Sequence, residues 1–280
     1  MLTIPGLRPP PPRGALSRAV GFTRPYAVAA AGTAYLFTLG WTRRAHRGLL
    51  VDIAKRFGHV HGAREPAELP AVPLDEAAPA VAPIDVRAAE AVDGNVSELE
   101  LIAICRIVRA MRPRVVFEFG TFDGRTTLNL AANAPQDARV HTLDLPRAAL
   151  PQLASRIEDA ERRYVEKDVS GARFAGTPYA SRIVQHFGDS AAFDYAPLYG
   201  TVELAFVDAS HAFEYVVNDS LHALRLLSPD GGIVLWHDYG RWDGVTGALN
   251  QLRRVDARFA GLRRIAGTTL AMLRVPGSHA

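Results

Sequence analysis

The chain from Ser97 to its C-terminus alternates between apolar runs and amphipathic segments. The first segment, "SELELIAICRIVRAMR" (97–112), places apolar residues at every third or fourth position, which predicts a helix with one buried face. Ser97 followed by Glu100 has the capping-box pattern of a helix start, and Pro113 marks the helix end.

Further along the chain, β-strands and helices are predicted in alternation. Five apolar runs predict strands at residues 114–119, 138–145, 182–189, 201–210 and 232–240. Amphipathic segments predict helices at residues 124–134, 149–165, 211–227 and 245–255. Residues 262–267 and 269–275 have the pattern of a terminal hairpin. Strands that alternate with helices in this way predict a parallel sheet with helices on both faces.

Each of the last four strands before the hairpin ends at an aspartate: Asp144, Asp189, Asp208 and Asp238. Ligands of open parallel sheets bind beyond the carboxyl ends of the strands, where the strand order reverses. The pattern therefore predicts a ligand site at this edge of the sheet, with several carboxylates around it.

The first strand-to-helix turn, "EFGTFDG" (Glu118–Gly124), combines two glycines with two acids. Small residues let backbone N–H groups and a helix N-terminus approach a ligand closely. Glu118 and Asp123 would repel a pyrophosphate, so the turn suits a ligand that carries positive charge, such as an amino group or a sulfonium. Asp144 follows Gly124 by twenty residues and suits ribose hydroxyls.

From about residue 97 onward the chain resembles the class I S-adenosylmethionine-dependent methyltransferases. The resemblance is to the group whose motifs read E-x-G-x-x-x-G, D-x-S-H-x-Y/F-E and W-H-D-Y. These motifs stand here as "EFGTFDG", "DASHAFEY" (Asp208–Tyr215) and "WHDYG" (Trp236–Gly240), and the likeness as a whole covers roughly 180 residues. The resemblance implies a Rossmann-like, doubly wound α/β fold: a mostly parallel seven-stranded sheet with an antiparallel final strand, helices on both faces and, here, an N-terminal extension.

The resemblance also implies which residues bind the cofactor. S-Adenosyl-L-methionine is expected to contact the turn and strand-end residues Glu118, Gly120, Thr121, Asp123, Gly124, Asp144, Asp189, Ser190 and Asp208. Among them, Glu118, Gly120 and Gly124 surround the methionine half, and Asp144 holds the ribose. Asp189 and Ser190 lie near the adenine, and Asp208 lies beneath the reacting centre.

Methyl transfer from a sulfonium is an in-line displacement, so the enzyme chiefly positions the acceptor and handles its proton. His211 and His237 are the candidate bases beside Asp208, because imidazole titrates near neutral pH. The alternative is that each histidine only hydrogen-bonds the loop at its strand end.

Asp208 and Asp238 are predicted to end neighbouring strands, so their oxygens could converge on Mg²⁺. Some members of the resembling group use such a metal to orient a pair of catechol or sugar hydroxyls. It remains equally open that the two carboxylates hold loops and cofactor. The expected acceptor is an oxygen of a small molecule.

Two segments have less regular patterns. Residues 166–181 form a long irregular stretch between the second and third predicted strands, and one interpretation is that it covers the site. Residues 66–95 are rich in Pro and Ala and are predicted to be a linker, or a strap that lies over the domain.

The N-terminal region differs in charge from the rest of the chain. Residues 1–65 hold ten basic and two acidic residues, a net charge of +8, whereas the remaining 215 residues hold 22 basic and 27 acidic ones, a net charge of −5. A basic N-terminal region on an otherwise acidic chain indicates attraction to an anionic membrane or a partner. Nucleic acid is not expected, because the body lacks a basic face with interleaved aromatic residues.

Within that region, residues 26–41, "YAVAAAGTAYLFTLGW", carry no charge. Three interpretations stay open: a helix packed on the body or on a second copy in a homo-oligomer, a membrane-associated segment, and a cleaved signal. The segment is shorter than the ~20 apolar residues that span a bilayer.

The predicted organisation is a basic extension at 1–65, a linker at 66–95 and a methyltransferase domain at 96–280. Cys105 is the sole cysteine, which excludes an intrachain disulfide and fits a reducing, cytoplasmic location.

The leading functional hypothesis is an S-adenosylmethionine-dependent methyltransferase that acts on a small molecule. A non-catalytic protein that retains the cofactor-binding fold as a scaffold is the main alternative. An NAD-dependent oxidoreductase is less favoured, since the first turn lacks G-x-G-x-x-G and has acids where a pyrophosphate would lie.

Overall fold

The computed structural model describes residues 15–43, 65–149 and 164–278, together with His46 and Leu50. By its internal contacts the chain divides into two compact units, Met1–His61 and Gly62–Ala280. The second unit contains every strand in the described residues.

The second unit is built on a mixed sheet of eight strands. In chain order these are β1 (Ala71–Val72), β2 (Val115–Phe119), β3 (Arg139–Asp144), β4 (Ile183–Phe187), β5 (Leu204–Val207), β6 (Gly231–Trp236), β7 (Arg263–Ile265) and β8 (Ala271–Pro276). Their order across the sheet is β1-β7-β8-β6-β5-β2-β3-β4. Strands β2 to β8 are those predicted from the apolar runs and the terminal hairpin.

The strand directions confirm the expected topology. Strand β8 runs antiparallel to both of its neighbours, β6 and β7, and all other pairs are parallel. The sheet exceeds the expected seven strands by β1, a two-residue strand that pairs with Arg264 and Ile265. This extra strand comes from the Pro/Ala-rich segment, whose apolar–polar pattern was too short to predict a strand.

Helices cover both faces of the sheet. The structure has α1 (Ala15–Thr38) in the first unit and α2 (Leu74–Ala77), α3 (Glu98–Met111), α4 (Arg125–Asn133), α5 (Phe213–Leu226) and α6 (Asp243–Val255) in the second. Short 3₁₀ turns lie at Gly40–Thr42, Arg147–Ala149, Ala180–Arg182, Ala196–Leu198 and Ala257–Phe259. The helix predicted at 149–165 falls almost entirely on residues 150–163, which lie outside the described residues.

The alternation of side chains along the strands separates two hydrophobic cores. Phe117 and Phe119 of β2 belong to the core beneath α5 and α6, whereas Val116 between them belongs to the core beneath α3 and α4. Because successive residues of a strand point to opposite faces, one strand supplies both layers. The doubly wound arrangement is thereby confirmed.

Helix α3 begins as its sequence predicts. The side chain of Ser97 accepts a hydrogen bond from the N–H of Glu100, and the Glu100 side chain accepts one from the N–H of Ser97. The helix ends at Met111, where Arg112 adopts a left-handed conformation with φ of 52° before Pro113. The reciprocal cap satisfies two backbone donors that a helix start otherwise leaves unpaired.

The backbone of residues 84–96 is hydrogen-bonded to side chains of α4. Asn129 and Asn133, one helical turn apart, each exchange a pair of hydrogen bonds with the backbone of Arg87 and Asp85 respectively. The buried guanidinium of Arg125 donates to three further carbonyls of this segment. The segment therefore packs along the helix that follows the first strand-to-helix turn.

In the first unit, α1 presents large apolar side chains to solvent. Tyr26, Val28, Phe37 and Trp41 are each about 60 % exposed. Within the part of the chain that the structure describes, no helix combines the length and the apolar character that crossing a membrane requires.

Candidate active site

A pocket opens at the carboxyl ends of β2, β3, β4 and β5. Its empty space, including the open mouth, is about 780 Å³. The chain proceeds from β2 outwards to β3 and β4 on one side and returns to β5 on the other, so the pocket lies where the strand order reverses. It is lined by Gly120, Phe122, Leu143, Asp144, Leu145, Tyr164, Val165, Lys167, Gly188, Asp189, Ser190, Asp208, Ala209, Ser210, His211 and Tyr215.

The lining contains half of the residues predicted from the sequence. Gly120, Asp144, Asp189, Ser190, Asp208 and His211 lie in its wall. Glu118, Thr121, Asp123, Gly124, His237 and Asp238 are not among the lining residues, and each has another environment.

Gly120 lets two neighbouring strand ends come together. Its φ is +91°, and a Cβ built on it would lie 2.0 Å from the carbonyl oxygen of Asp208. No residue with a side chain fits at that distance, so glycine is required by the contact between the ends of β2 and β5. This contact sets Asp208 beside the first turn.

Glu118 lies behind the turn, in the protein interior. Its carboxylate is fully buried and accepts hydrogen bonds from the hydroxyls of Thr127 and Thr142. Burial raises the pKa of Glu118 to about 8, despite these two hydrogen bonds. The structure therefore does not place Glu118 in the wall of the pocket.

Asp123 and Gly124 hold the segment that follows β3. Asp123 Oδ2 lies 2.7 Å from Nε of Arg173, and a Cβ on Gly124 would lie 2.6 Å from the ring of Phe174. Thr121 hydrogen-bonds Thr142 within the same interior cluster as Glu118, at 2.7 Å. Thr121, Asp123 and Gly124 thus contribute to chain packing and do not line the pocket.

Asp144, the expected ribose acid, forms an ion pair inside the pocket. Its Oδ2 lies 2.7 Å from Nζ of Lys167. Asp189 accepts hydrogen bonds from the N–H of Ala191 at 3.0 Å and from the hydroxyl of Tyr215 at 3.1 Å. Contacts within the protein position both acids.

His237 lies in a buried cluster of three carboxylates. Its Nδ1 is 3.2 Å from an oxygen of both Asp208 and Asp238, and its Nε2 is 3.2 Å from Oε2 of Glu100. Burial acts to lower the pKa of His237, but the charges of Asp238 and Asp208 hold it well above its usual range. A doubly hydrogen-bonded imidazolium donates protons and does not accept one, so the geometry favours a positioning role for His237.

Glu100 connects that cluster to two other elements. Besides its part in the cap of α3, its Oε1 accepts hydrogen bonds from the N–H and the hydroxyl of Thr269, both at 2.7 Å. Burial acts to raise the pKa of Glu100, but the hydrogen bond and charge of His237 hold it well below its usual range. Sequence reasoning assigned Glu100 only to the helix cap, since no local pattern shows a partner 137 positions away.

His211 lines the pocket and pairs with Asp238. Its Nε2 lies 2.8 Å from Oδ2 of Asp238, and its ring stacks on Trp242 with centroids 4.3 Å apart. Asp238 adopts a left-handed φ of 64°, a conformation that Asp tolerates better than most residues. The stacking and the hydrogen bond together fix the orientation of the imidazole.

Asp208, His211 and Asp238 also form a cluster of three metal-ligating side chains. One donor atom from each lies within 4.8 Å of the others. The sequence predicted the two aspartates as metal ligands, and the structure adds His211. The donor set fits a divalent cation that accepts both oxygen and nitrogen.

The family comparison agrees with this architecture. Residues 117–239 match a family model described as "Methyltransferase domain". The matched range runs from β2 to the residue after Asp238 and so includes nearly the whole pocket. The match covers less than half of the chain, and it identifies residues 117–239 as a methyltransferase domain.

Several solved structures are similar to this methyltransferase. The O-methyltransferase TomG from Streptomyces achromogenes, in complex with SAM, is 21% identical over 73% of this chain and 89% of its own, with a TM-score of 0.46. Cofactor-bound Rv0187 from MTB is 20% identical over 68% and 86% of the two chains, with a TM-score of 0.46. An O-methyltransferase from Bacillus cereus in complex with SAH is 15% identical over 68% and 84%, with a TM-score of 0.44. No curated protein matches the sequence.

The pocket of the methyltransferase fits its cofactor chemically. Asp144 offers a carboxylate to the ribose hydroxyls, and Leu143 and Leu145 beside it offer apolar surface to a base. Asp208 adds a second carboxylate to the same pocket wall.

Proposed function

We propose that the chain methylates a hydroxyl oxygen of a small molecule, with S-adenosyl-L-methionine as the methyl donor. The observation that carries this proposal is the position of His211. It lies in the wall of the same pocket as Asp144 and Asp208, 2.8 Å from the carboxylate of Asp238. A hydroxyl is a weak nucleophile until its proton is removed, and an imidazole with a carboxylate partner is suited to remove it.

In the proposed reaction the acceptor oxygen attacks the methyl carbon of the sulfonium. A bond forms between carbon and oxygen, and the carbon–sulfur bond breaks with its electron pair on the sulfur of S-adenosylhomocysteine. The acceptor proton moves to His211, and Asp238 stabilises the resulting imidazolium. Asp144 and Asp189 hold the cofactor in line with the acceptor, so the chain contributes mainly position and charge.

A divalent metal could assist the same reaction, and Asp208, His211 and Asp238 would hold it. When bound, such a cation binds the acceptor oxygen and lowers the pKa of its hydroxyl. His211 would then be a ligand and not the base. Since His237 already shares an oxygen of each carboxylate, we favour the His211–Asp238 pair acting without metal.

The proposal is tested with methyl-labelled S-adenosylmethionine and a panel of phenols, catechols and sugars. Wild-type protein is expected to transfer label to at least one hydroxyl compound. His211→Gln is expected to lower kcat by ~10²–10⁴-fold, because general-base catalysis contributes about that factor. Its Kd for S-adenosylhomocysteine, measured by calorimetry, is expected to stay within about twofold, since proton acceptance does not hold the cofactor.

His222→Gln is the matched control, since His222 pairs with Tyr199 and does not line the pocket. An undiminished kcat in His211→Gln would exclude His211 as the base. Activity that EDTA abolishes and Mg²⁺ or Mn²⁺ restores would overturn the metal-free form of the proposal. Absence of transfer to every compound, with cofactor still bound, would favour a scaffold.

For the N-terminal unit we propose attachment to an anionic membrane surface. The support is the exposed apolar and aromatic side chains of α1, together with the net charge of +8 over residues 1–65. An apolar helix with basic flanks lies in the interface of a bilayer and does not span it. Anionic lipids are concentrated on the cytoplasmic leaflet, so this proposal implies a cytoplasmic location.

A further inference from the structure

Lys167 occupies an unusual position in the cofactor pocket. Its ammonium lies 2.7 Å from Oδ2 of Asp144, and the two side chains are only 13% and 8% exposed. It also donates a hydrogen bond to the carbonyl of Tyr164 at 3.0 Å. Lys167 therefore belongs to the wall of the pocket and is directed at the acid that is expected to hold the ribose.

The segment that carries Lys167 is fastened to the first strand-to-helix turn. The N–H of Gly171 donates to the carbonyl of Phe122 at 2.9 Å, and the N–H of Arg173 donates to the carbonyl of Asp123 at 2.8 Å. The side chain of Arg173 adds an ion pair with Asp123. These three contacts tie the chain to the first turn a few residues after Lys167.

The residue type is informative as well. Lysine accounts for only Lys55 and Lys167 among the 32 basic residues of the chain, and all the others are arginine. An ammonium is a compact charge with three donors, whereas a guanidinium is a wide planar fork. A lysine in this arginine-rich chain is thus what a narrow buried space beside Asp144 requires.

We propose that Lys167 is a positioning residue of the cofactor site, which pairs with the carboxylate of Asp144 and orients it toward the ribose hydroxyls. The inference rests on the use of an S-adenosyl cofactor. When the cofactor covers the pocket it removes water from Asp144, and a buried carboxylate without a counter-charge is costly. The ammonium supplies that counter-charge at 2.7 Å from Oδ2 of Asp144.

The proposal is tested by calorimetric titration of S-adenosylhomocysteine into the full-length protein. Lys167→Met keeps a long unbranched side chain, one atom shorter, and removes its charge, and it is expected to raise Kd by ~10-fold or more. Lys167→Arg restores the charge and is expected to recover part of the affinity. In an Asp144→Asn background the change at Lys167 is expected to have little further effect, since the charge it serves is gone.

A second ligand separates positioning from general structural support. With the 2′-deoxyribose analogue of S-adenosylhomocysteine, the loss of affinity caused by Lys167→Met is expected to be smaller, because one hydroxyl contact of Asp144 is missing. A lysine that only stabilised the pocket wall would weaken both ligands equally. Arg147→Met is the matched control: it removes one positive charge from an exposed ion pair with Asp168, and its Kd is expected to stay within about twofold.

An unchanged Kd in Lys167→Met, or equal losses for both ligands, would overturn the proposal and leave the methyltransferase function intact. Failure of the wild-type protein to bind S-adenosylhomocysteine would instead overturn the proposed function, and this inference with it.

Discussion

At the residue scale, the charge of an acidic side chain depends on where the fold places it. Glu118 and Asp144 both stand at the end of a strand, but Glu118 is enclosed by the interior, and Asp144 faces the pocket with a cation beside it. Only the second can offer a stable negative charge to a ligand. Acids that the sequence presents as equivalent are thus separated by their environment.

Glu118 makes the stability of the fold depend on pH. Its pKa is raised from 4.5 to about 8 by burial, so the folded protein retains a proton that the unfolded chain loses between these values. The protonated carboxyl of Glu118 adds to the free energy of unfolding. This contribution is fully present below about pH 4.5 and is lost as the pH rises towards 8. Glu118→Gln has no proton to lose, so its free energy of unfolding relative to wild type is expected to increase between pH 5 and pH 8, by on the order of 3 kcal/mol.

Urea denaturation of both proteins at the two pH values measures this difference. Asp219, whose pKa burial raises to about 7, contributes equally to both proteins and cancels. Glu214→Gln, at an exposed position of α5, is the control and should show no such trend. A difference between Glu118→Gln and wild type that is constant with pH would contradict the prediction.

At the element scale, the pocket depends on how closely the ends of β2 and β5 approach each other. Gly120 makes that approach possible, and the approach sets the position of Asp208. The pairing of β5 with β6 places Asp208 near Asp238, and His237 lies between the two carboxylates. The catalytic geometry is therefore a property of three neighbouring strands.

A comparison of two glycines distinguishes the effect of this contact on stability from the effect of backbone strain. Gly120 and Gly176 have φ values of +91° and +70°, but a Cβ on Gly176 would meet nothing within 4 Å, whereas one on Gly120 would collide with the backbone of Asp208. Gly176→Ala is expected to cost ~1 kcal/mol, the strain of a left-handed alanine. Gly120→Ala is expected to cost more than ~4 kcal/mol or to prevent folding, because rigid backbone must move.

Soluble yield and urea midpoints of the two variants measure the difference. Equal and small losses would show that the strand ends have room to move apart, and the tight β2–β5 contact would then not be needed for the site.

At the scale of the whole molecule, the pocket is built entirely from the second of the two compact units. Every residue that lines the pocket lies between Gly120 and Tyr215, within the second compact unit. Cofactor binding and any attachment through α1 should therefore be separable by truncation.

A variant that lacks residues 1–61 is expected to bind S-adenosylhomocysteine with a Kd within about twofold of the full chain, since it retains the whole pocket wall. Sedimentation with vesicles that contain phosphatidylserine is expected to retain the full chain and not the variant. The attachment should weaken as salt is raised, because anionic lipid attracts the basic flanks.

Vesicles of phosphatidylcholine alone serve as the control and should bind the full chain less. Equal vesicle binding by the truncated variant would contradict attachment through the N-terminal unit. A full chain that is dimeric in light scattering and binds no vesicle would indicate that α1 contacts a second copy.

Much of the fold could be predicted because its elements have local causes. The apolar runs of β2 to β6, the cap at Ser97 and the strand-end aspartates are visible within a few residues of sequence. Strand β1 could not be predicted, because two residues carry no period, and its pairing partner lies almost two hundred positions away.

By itself, the sequence determined the order of strands and helices, the edge of the sheet that bears the site, and the acids that end its strands. Only the tertiary structure decided which acids face the pocket, that His237 is enclosed by carboxylates while His211 is not, and that Lys167 meets Asp144. The reason is physical. Periodicity and capping act between neighbours in the chain, whereas burial and ion pairing depend on distances that exist only after the chain has folded.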